Sequence, residues 1–177
     1  MVGYKNTSTV SGETFAELKY HLIHPRQIRS VIAVSAVVAV LLVLAVIQDN
    51  TEFIFMNIIL LVIIIAWGFM TVNQTVKTLT KQLQGATESG KYSFTITLGE
   101  DGITVLNNDD GIDGEFLYAD FAKLVETKSY YALFTKNRQF MALDRAEVNR
   151  EDKQAELLSF IKEKCPGIKL ITSAPAK

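Results

Sequence analysis

The sequence predicts an α+β membrane protein in which a transmembrane helical hairpin precedes a small bent antiparallel β-sheet or half-barrel with a C-terminal helix. Two observations predict this class. Residues 31–47 and 53–70 are apolar runs without a charged side chain, and each approaches the roughly 20 residues that a helix needs to cross a bilayer. From residue 91 the apolar side chains recur at every second position, which is typical of half-buried strands.

The two apolar runs are predicted to be membrane spans rather than buried helices of a soluble core. The residues that follow the hairpin are too few to cover two helices that are apolar on every side. The hairpin, residues 30–84, includes a cytoplasmic extension of the second helix, because Val76, Leu79 and Leu83 continue the helical spacing. Residues 85–90 then form a linker.

Basic residues flank the hairpin and are absent from the connection between its spans. Cationic flanks stay on the cytoplasmic side of a membrane. We therefore expect a cell (plasma) membrane protein with two spans and both termini in the cytoplasm. The spans carry no ionisable side chain, which favours an anchor over a transport path. The flanking basic residues are Lys19, Arg26, Arg29, Lys77 and Lys81.

Residues 1–29 are predicted to be a cytoplasmic segment that contains a short amphipathic helix. The polar stretch of residues 1–12 is expected to be disordered. Phe15, Leu18 and Leu22 then lie at helical spacing, and Pro25 interrupts the pattern. The sequence leaves open whether this helix lies on the membrane surface or packs on the β-rich domain.

Residues 91–172 are predicted to form the cytoplasmic β-rich domain, followed by a tail at residues 173–177. A helix is expected to begin at Asn149 or Arg150 and to end at Pro166 and Gly167. The piece at residues 168–171 either pairs as an edge strand or simply packs. Alternating patterns predict strands at residues 92–98, 103–106, 115–118, 121–127, 130–135 and 139–143.

Composition and motifs argue against several functional classes. Residues 91–177 hold twelve basic and fourteen acidic side chains, whereas nucleic-acid modules concentrate basic charge on one face. The lone Cys165 has no histidine in the C-terminal half to activate it. We therefore expect no enzymatic activity, no catalytic residue, no metal and no cofactor. Homo-oligomerisation through the hairpin is left open.

The chain resembles the YcxB-like protein family, in which two membrane spans precede a small β-rich domain of pleckstrin-homology-like (PH-like) appearance. The resemblance rests on the hairpin and on residues 92–161, most specifically on the stretch from Tyr118 to Tyr130 and on Leu98 to Val105. Tyr118 replaces the family's tryptophan, and only Arg145 remains of its Pro-Lys-Arg. The resemblance implies a PH-like domain at residues 91–172 and transfers no catalytic residue.

These observations together predict a membrane-anchored module that binds a protein partner at the inner surface. The alternative, implied by the resemblance, is an immunity protein that protects against a membrane-active or secreted toxin. The bilayer and a protein are the expected partners. The bend between two strands combines charged and aromatic side chains. Tyr118, Tyr130 and Tyr131 could form a contact patch for a partner, and the alternative is that they are half-buried on a sheet face. The predicted partner-binding residues are Tyr118, Glu126, Tyr130, Tyr131 and Arg145.

Overall fold

The computed structural model describes residues 2–87, 89–109, 111, 113–150 and 152–172. The predicted tail at 173–177 lies outside them. The chain divides into two compact units, one formed by Leu18–Leu79 and the other by Met1–Glu17 together with Thr80–Lys177. We call them the hairpin unit and the β domain. The β domain therefore contains sequence from both sides of the hairpin.

The hairpin unit is built on two long apolar helices, α2 (Pro25–Ile47) and α3 (Thr51–Ala86). Both are long and apolar enough to cross a membrane, and their side chains are largely exposed. Pro25 occupies the first turn of α2, and Asn50 caps α3 by accepting a hydrogen bond from the Phe53 N–H (3.1 Å). Buried Asn57 donates to the Phe53 carbonyl of its own helix (2.8 Å), and so is satisfied without a cross-helix bond.

Helix α1 (Gly12–Leu22) connects the β domain to the hairpin unit along the chain. Ser11 accepts a hydrogen bond from the Glu13 N–H, and Thr14 Oγ1 accepts one from the Ser11 N–H, which together cap the start of the helix. The Phe15 ring meets Phe140 of the β domain edge-on, with centroids 6.1 Å apart. For the first turns of α1, this contact favours packing on the domain.

The β domain contains two four-stranded sheets. Sheet A has the order β1-β2-β3-β4 and is antiparallel throughout. Its strands are β1 (Tyr4–Val10), β2 (Tyr92–Leu98), β3 (Gly102–Asn107) and β4 (Asp113–Leu117). The prediction of disorder at residues 1–12 was therefore wrong for Tyr4–Val10, which pairs with β2 along its whole length.

Sheet B has the order β7-β6-β5-β8, with β8 parallel to β5 and the other pairs antiparallel. A single turn of 3₁₀ helix at Tyr118–Asp120 separates β4 from the first strand of this sheet, so the chain leaves sheet A there. The described strands thus form two sheets instead of the single bent sheet predicted, and they close no barrel. The strands are β5 (Phe121–Glu126), β6 (Tyr130–Thr135), β7 (Phe140–Asp144) and β8 (Lys169–Thr172).

Two helices replace the single C-terminal helix predicted from the sequence. Helix α4 (Arg145–Arg150) follows β7 directly, and α5 (Gln154–Lys164) comes after a break at which Asp152 takes a left-handed φ of 53°. The core of the domain is formed by side chains of both sheets together with Val148 of α4 and Leu157 and Ile161 of α5. The helices therefore join the two sheets through a common apolar core.

Candidate functional site

The turn between β5 and β6 is closed by hydrogen bonds of the Thr127 backbone and side chain with the Tyr130 backbone. The Thr127 N–H donates to the Tyr130 carbonyl (2.9 Å), and the Tyr130 N–H donates to Thr127 Oγ1 (3.0 Å). Thr127 is buried, whereas Lys128 is exposed and Ser129 is half-buried. The turn thus exposes one cation, Lys128, on a backbone that the hydrogen bonds between Thr127 and Tyr130 hold in place.

Arg145, the first residue of α4, holds this turn from one side. Its Nη1 donates to the Thr127 carbonyl and its Nη2 forms an ion pair with Glu126 Oε1, both at 2.9 Å. Its backbone N–H donates to the Ser129 carbonyl (2.9 Å), and its guanidinium carbon lies 5.4 Å from the centre of the Tyr131 ring. One residue therefore contacts both ends of the turn and the strand that follows.

Glu17 of α1 holds the same turn from another side. Its carboxylate accepts a hydrogen bond from Ser129 Oγ (2.7 Å) and another from the Ser129 N–H (3.2 Å). Burial on its own would raise the pKa of Glu17, but the hydrogen bonds from Ser129 and Thr127 and the charge of Lys128 hold it below the ordinary value of 4.5. The contact therefore holds Ser129 in position.

Four of the five predicted partner-binding residues come together at this turn. Glu126 and Arg145 form an ion pair whose side chains are about one quarter exposed. Tyr130 is half-buried, and its hydroxyl donates to the Thr9 carbonyl of β1 (3.4 Å). Tyr131 is fully buried below Arg145, and this burial raises the pKa of its hydroxyl.

Tyr118 lies away from the turn, in the 3₁₀ segment before the opposite end of β5. It is 5 % exposed, its hydroxyl donates to the Gly99 carbonyl (2.9 Å), and its ring meets Phe160 of α5 edge-on. Burial, with a smaller effect from Cys165, raises its pKa to about 12.

The three tyrosines therefore do not form one exposed contact patch. Adjacent residues of a strand point to opposite faces of the sheet, so Tyr130 and Tyr131 could not share a surface. Tyr118 belongs to the core, with α5 against it. The turn exposes Lys128, and it exposes Tyr130 and the Glu126–Arg145 pair in part. We call these residues, with Thr127 and Ser129, the β5–β6 turn surface.

Glu17 and Thr9 were missed as parts of this site. Each lies more than a hundred positions from its partner along the chain, at separations of 112 and 121 residues. Glu17 occupies a helix that the sequence could place equally well on the membrane, so no local pattern pointed to Ser129. Within the described residues, no group of three or more His, Cys, Asp or Glu side chains is arranged to hold a metal ion.

Comparison with known proteins assigns part of this domain. No curated protein matches the chain. A family model described as YcxB-like protein matches residues 98–161, a range that contains the whole β5–β6 turn surface and its Arg145. The matched range begins at the last residue of β2 and ends inside α5. Residues 98–161 are therefore a domain of the YcxB-like protein family.

Proposed function

We propose that this protein is a non-enzymatic, membrane-anchored binding module that presents a PH-like domain to a protein partner at the cytoplasmic face of the cell membrane. The observation that carries the proposal is the β5–β6 turn surface, whose backbone is held by Arg145 and Glu17 from two different helices. A surface held in one conformation before binding loses little conformational entropy when it binds.

The two apolar helices support the membrane anchor. Their exposed apolar side chains need a nonpolar environment, and the basic residues on both flanks favour the cytoplasm for the ends of the hairpin. The β1–β2 pairing adds an independent argument. It joins a strand that precedes the hairpin to one that follows it, which supports a topology with both ends of the hairpin on the same side of the membrane.

The composition of the turn surface favours a protein over an anionic headgroup. It combines the cation of Lys128 with the partly exposed Tyr130 and a Glu126–Arg145 pair whose charges cancel. Tyrosine and arginine are enriched in protein interfaces, whereas recognition of anionic lipids relies on several clustered cations. A PH-like relationship is supported by the two packed sheets and the C-terminal helix that shares their core.

A photo-crosslinking amino acid at Lys128 tests this proposal in native membranes. The matched control carries the same amino acid at Lys162, an exposed lysine of α5. We expect one protein to be captured from position 128 and not from position 162. Tyr130→Ala should reduce the capture of this partner. The partner, once purified, should bind the full-length chain in nanodiscs.

Equal capture from both positions, or capture that Tyr130→Ala leaves unchanged, would contradict the proposed surface. Capture of a second copy of this chain at position 128 would mean that the surface mediates self-association and does not bind a separate partner. A captured toxin would identify the module as an immunity protein, which is the alternative that the family resemblance implies.

A further inference from the structure

A second candidate site lies inside the β domain, between sheet A and the β6–β7 hairpin of sheet B. It is a half-open cleft of about 440 Å³, within the size range of small-molecule sites. Ile96, Val105 and Phe116 line it from sheet A, and Phe140 and Met141 line it from β7. The lining is thus mainly aromatic and aliphatic.

The cleft lies beyond the point at which hydrogen bonds link β1 to β7. The Asn6 side chain accepts a hydrogen bond from the Asp144 N–H (2.8 Å) and donates to the Asp144 carbonyl (3.2 Å), which links the two strands there. Val10, at the end of β1, and Phe140, at the start of β7, instead line the open space. The opening is therefore a consequence of how the two sheets meet.

Arg138 gives the cleft its polarity. Among the described residues that line it, Arg138 carries the one full charge, accompanied by the polar side chains of Thr135 and Gln139. The Lys123 ammonium lies 4.2 Å from the centre of the Phe134 ring; burial first, and then the charge of Arg138, lower the pKa of Lys123. The Arg138 end of the cleft therefore carries the positive charge of the guanidinium group.

The backbone conformation at Arg138 is a second observation that points to a binding role for its side chain. Its φ of 69° lies in the left-handed region, which is uncommon for residues other than glycine and asparagine. In a three-residue hairpin loop such as 136–138, glycine is preferred at that position. Strained positions of this kind cluster at ligand-binding and functional sites.

We propose that the cleft binds a single-chain amphiphile with an anionic head group, such as a fatty acid. Its chain would occupy the space between Val105, Phe116 and Met141, and its head group would pair with Arg138. The apolar lining accounts for the chain, and the guanidinium for the anionic head. This ligand site goes beyond the protein-binding function proposed above and does not depend on it.

The methionine methyl groups allow a direct test in the full-length chain. The protein is labelled with ¹³C-methyl methionine in nanodiscs of zwitterionic phosphatidylcholine and titrated with octanoate. Met141 lines the cleft, whereas Met56 and Met70 lie in α3 and report partitioning into the bilayer. We expect a saturable shift of the Met141 signal, with only linear changes at Met56 and Met70.

Two variants and two matched ligands define the site. Val105→Phe fills the cleft with a residue that strands favour and should abolish the Met141 shift. Arg138→Gly suits the left-handed backbone and should retain the fold. It should weaken the binding of octanoate about tenfold and leave the binding of octanol unchanged. Octylammonium should bind more weakly than octanoate to the unmodified chain.

Three results would overturn the proposal. One is the absence of saturation at Met141. Another is equal affinity for octanoate, octanol and octylammonium, which would remove the role of Arg138. The last is a shift of the Met141 signal on adding phosphatidylglycerol to the nanodisc, together with loss of octanoate binding. A two-chain bilayer lipid would then be the ligand. None of these results depends on the crosslinking at Lys128, so the two proposals can fail separately.

Discussion

Arg145 connects the end of β7 to the β5–β6 turn through the two terminal nitrogens of its guanidinium group. Nη1 donates to a backbone carbonyl, whereas Nη2 forms a partly exposed ion pair. The two contacts differ in their expected effect on stability. Loss of a charged donor from a carbonyl lowers the free energy of unfolding by about 1.5–3 kcal/mol. An exposed ion pair contributes only about 0.2–1 kcal/mol to it.

We predict that Arg145→Met lowers the free energy of unfolding of the β domain by about 2 kcal/mol. Glu126→Gln removes only the ion pair and should cost less than about 1 kcal/mol. Urea unfolding followed by near-ultraviolet circular dichroism measures this, because all tyrosines but Tyr20 belong to the β domain. Arg150→Met in the same helix is the control, with an effect within about 0.5 kcal/mol. A larger loss in Glu126→Gln than in Arg145→Met would contradict this assignment.

Glu17 makes the stability of the domain depend on pH in a defined direction. Because its pKa is lower in the folded chain than its ordinary value of 4.5, its contribution is complete above 4.5 and is lost as pH falls through the folded pKa. Glu17→Gln should therefore be less stable than the unmodified chain at neutral pH, and the difference should shrink on acidification. Urea unfolding at several pH values measures the difference; one that grows as pH falls would contradict the assignment.

At the scale of single residues, the sequence placed Glu126, Tyr130, Tyr131 and Arg145 near one another. It did not predict which of these side chains are exposed. Proximity followed from neighbouring positions in the predicted strands and from the family resemblance. Exposure depended on which face of β6 is covered, and that is decided by tertiary contacts with other elements, including α1, which lies more than a hundred residues earlier in the chain. Glu17 and Thr9 were beyond local patterns for the same reason.

Among the strands of the β domain, β1 is the one for which the sequence analysis expected disorder. Its buried positions alternate regularly, but two of the four buried side chains are polar, Asn6 and Ser8. An apolar–polar pattern is therefore absent from a strand that is nevertheless half-buried. The strand is stabilised by pairing with β2 and by the hydrogen bonds of Asn6 to Asp144, and neither interaction is visible from its local composition.

We predict that Asn6→Ala destabilises the β domain by about 2 kcal/mol, because both hydrogen bonds to the Asp144 backbone are lost from a fully buried side chain. Lys5→Ala, at the adjacent exposed position of β1, should change stability by less than about 0.5 kcal/mol. The same urea titration measures both variants. Equal effects at the two positions would mean that the Asn6–Asp144 contact does not hold β1 in place.

Strands with regular alternation and clear turn residues were predicted closely. β2 and β6 have the predicted bounds, because both combine β-branched or aromatic residues with polar turns at their ends. The division into two sheets was not predicted, since alternation shows that a strand has two faces but not which strand pairs with it. The break between α4 and α5 was missed because Asp152 carries no signal as strong as glycine or proline.

At the scale of the whole molecule, the β domain is assembled from sequence on both sides of a helical hairpin. The pairing of β1 with β2 means that neither flank completes sheet A without the other. A two-span anchor is compatible with this arrangement, because an even number of spans returns the chain to the side from which it started. In the proposed function that side is the cytoplasm, which the basic flanks of the hairpin favour.

Cysteine accessibility in spheroplasts of a bacterial host tests this account most directly. The native Cys165 is 3 % exposed and burial raises its pKa to about 11, so it should stay unreactive toward maleimides. Single cysteines replace exposed residues at Lys5 in β1, Lys136 in the β6–β7 loop and Glu52 at the start of α3.

We predict that a membrane-impermeant maleimide labels Glu52→Cys in intact spheroplasts, and labels Lys5→Cys and Lys136→Cys only after the membrane is opened. Labelling of positions 5 and 136 from opposite sides would contradict a β domain built from both flanks. Labelling of both from outside, with position 52 protected, would contradict the cytoplasmic location on which the proposed function depends.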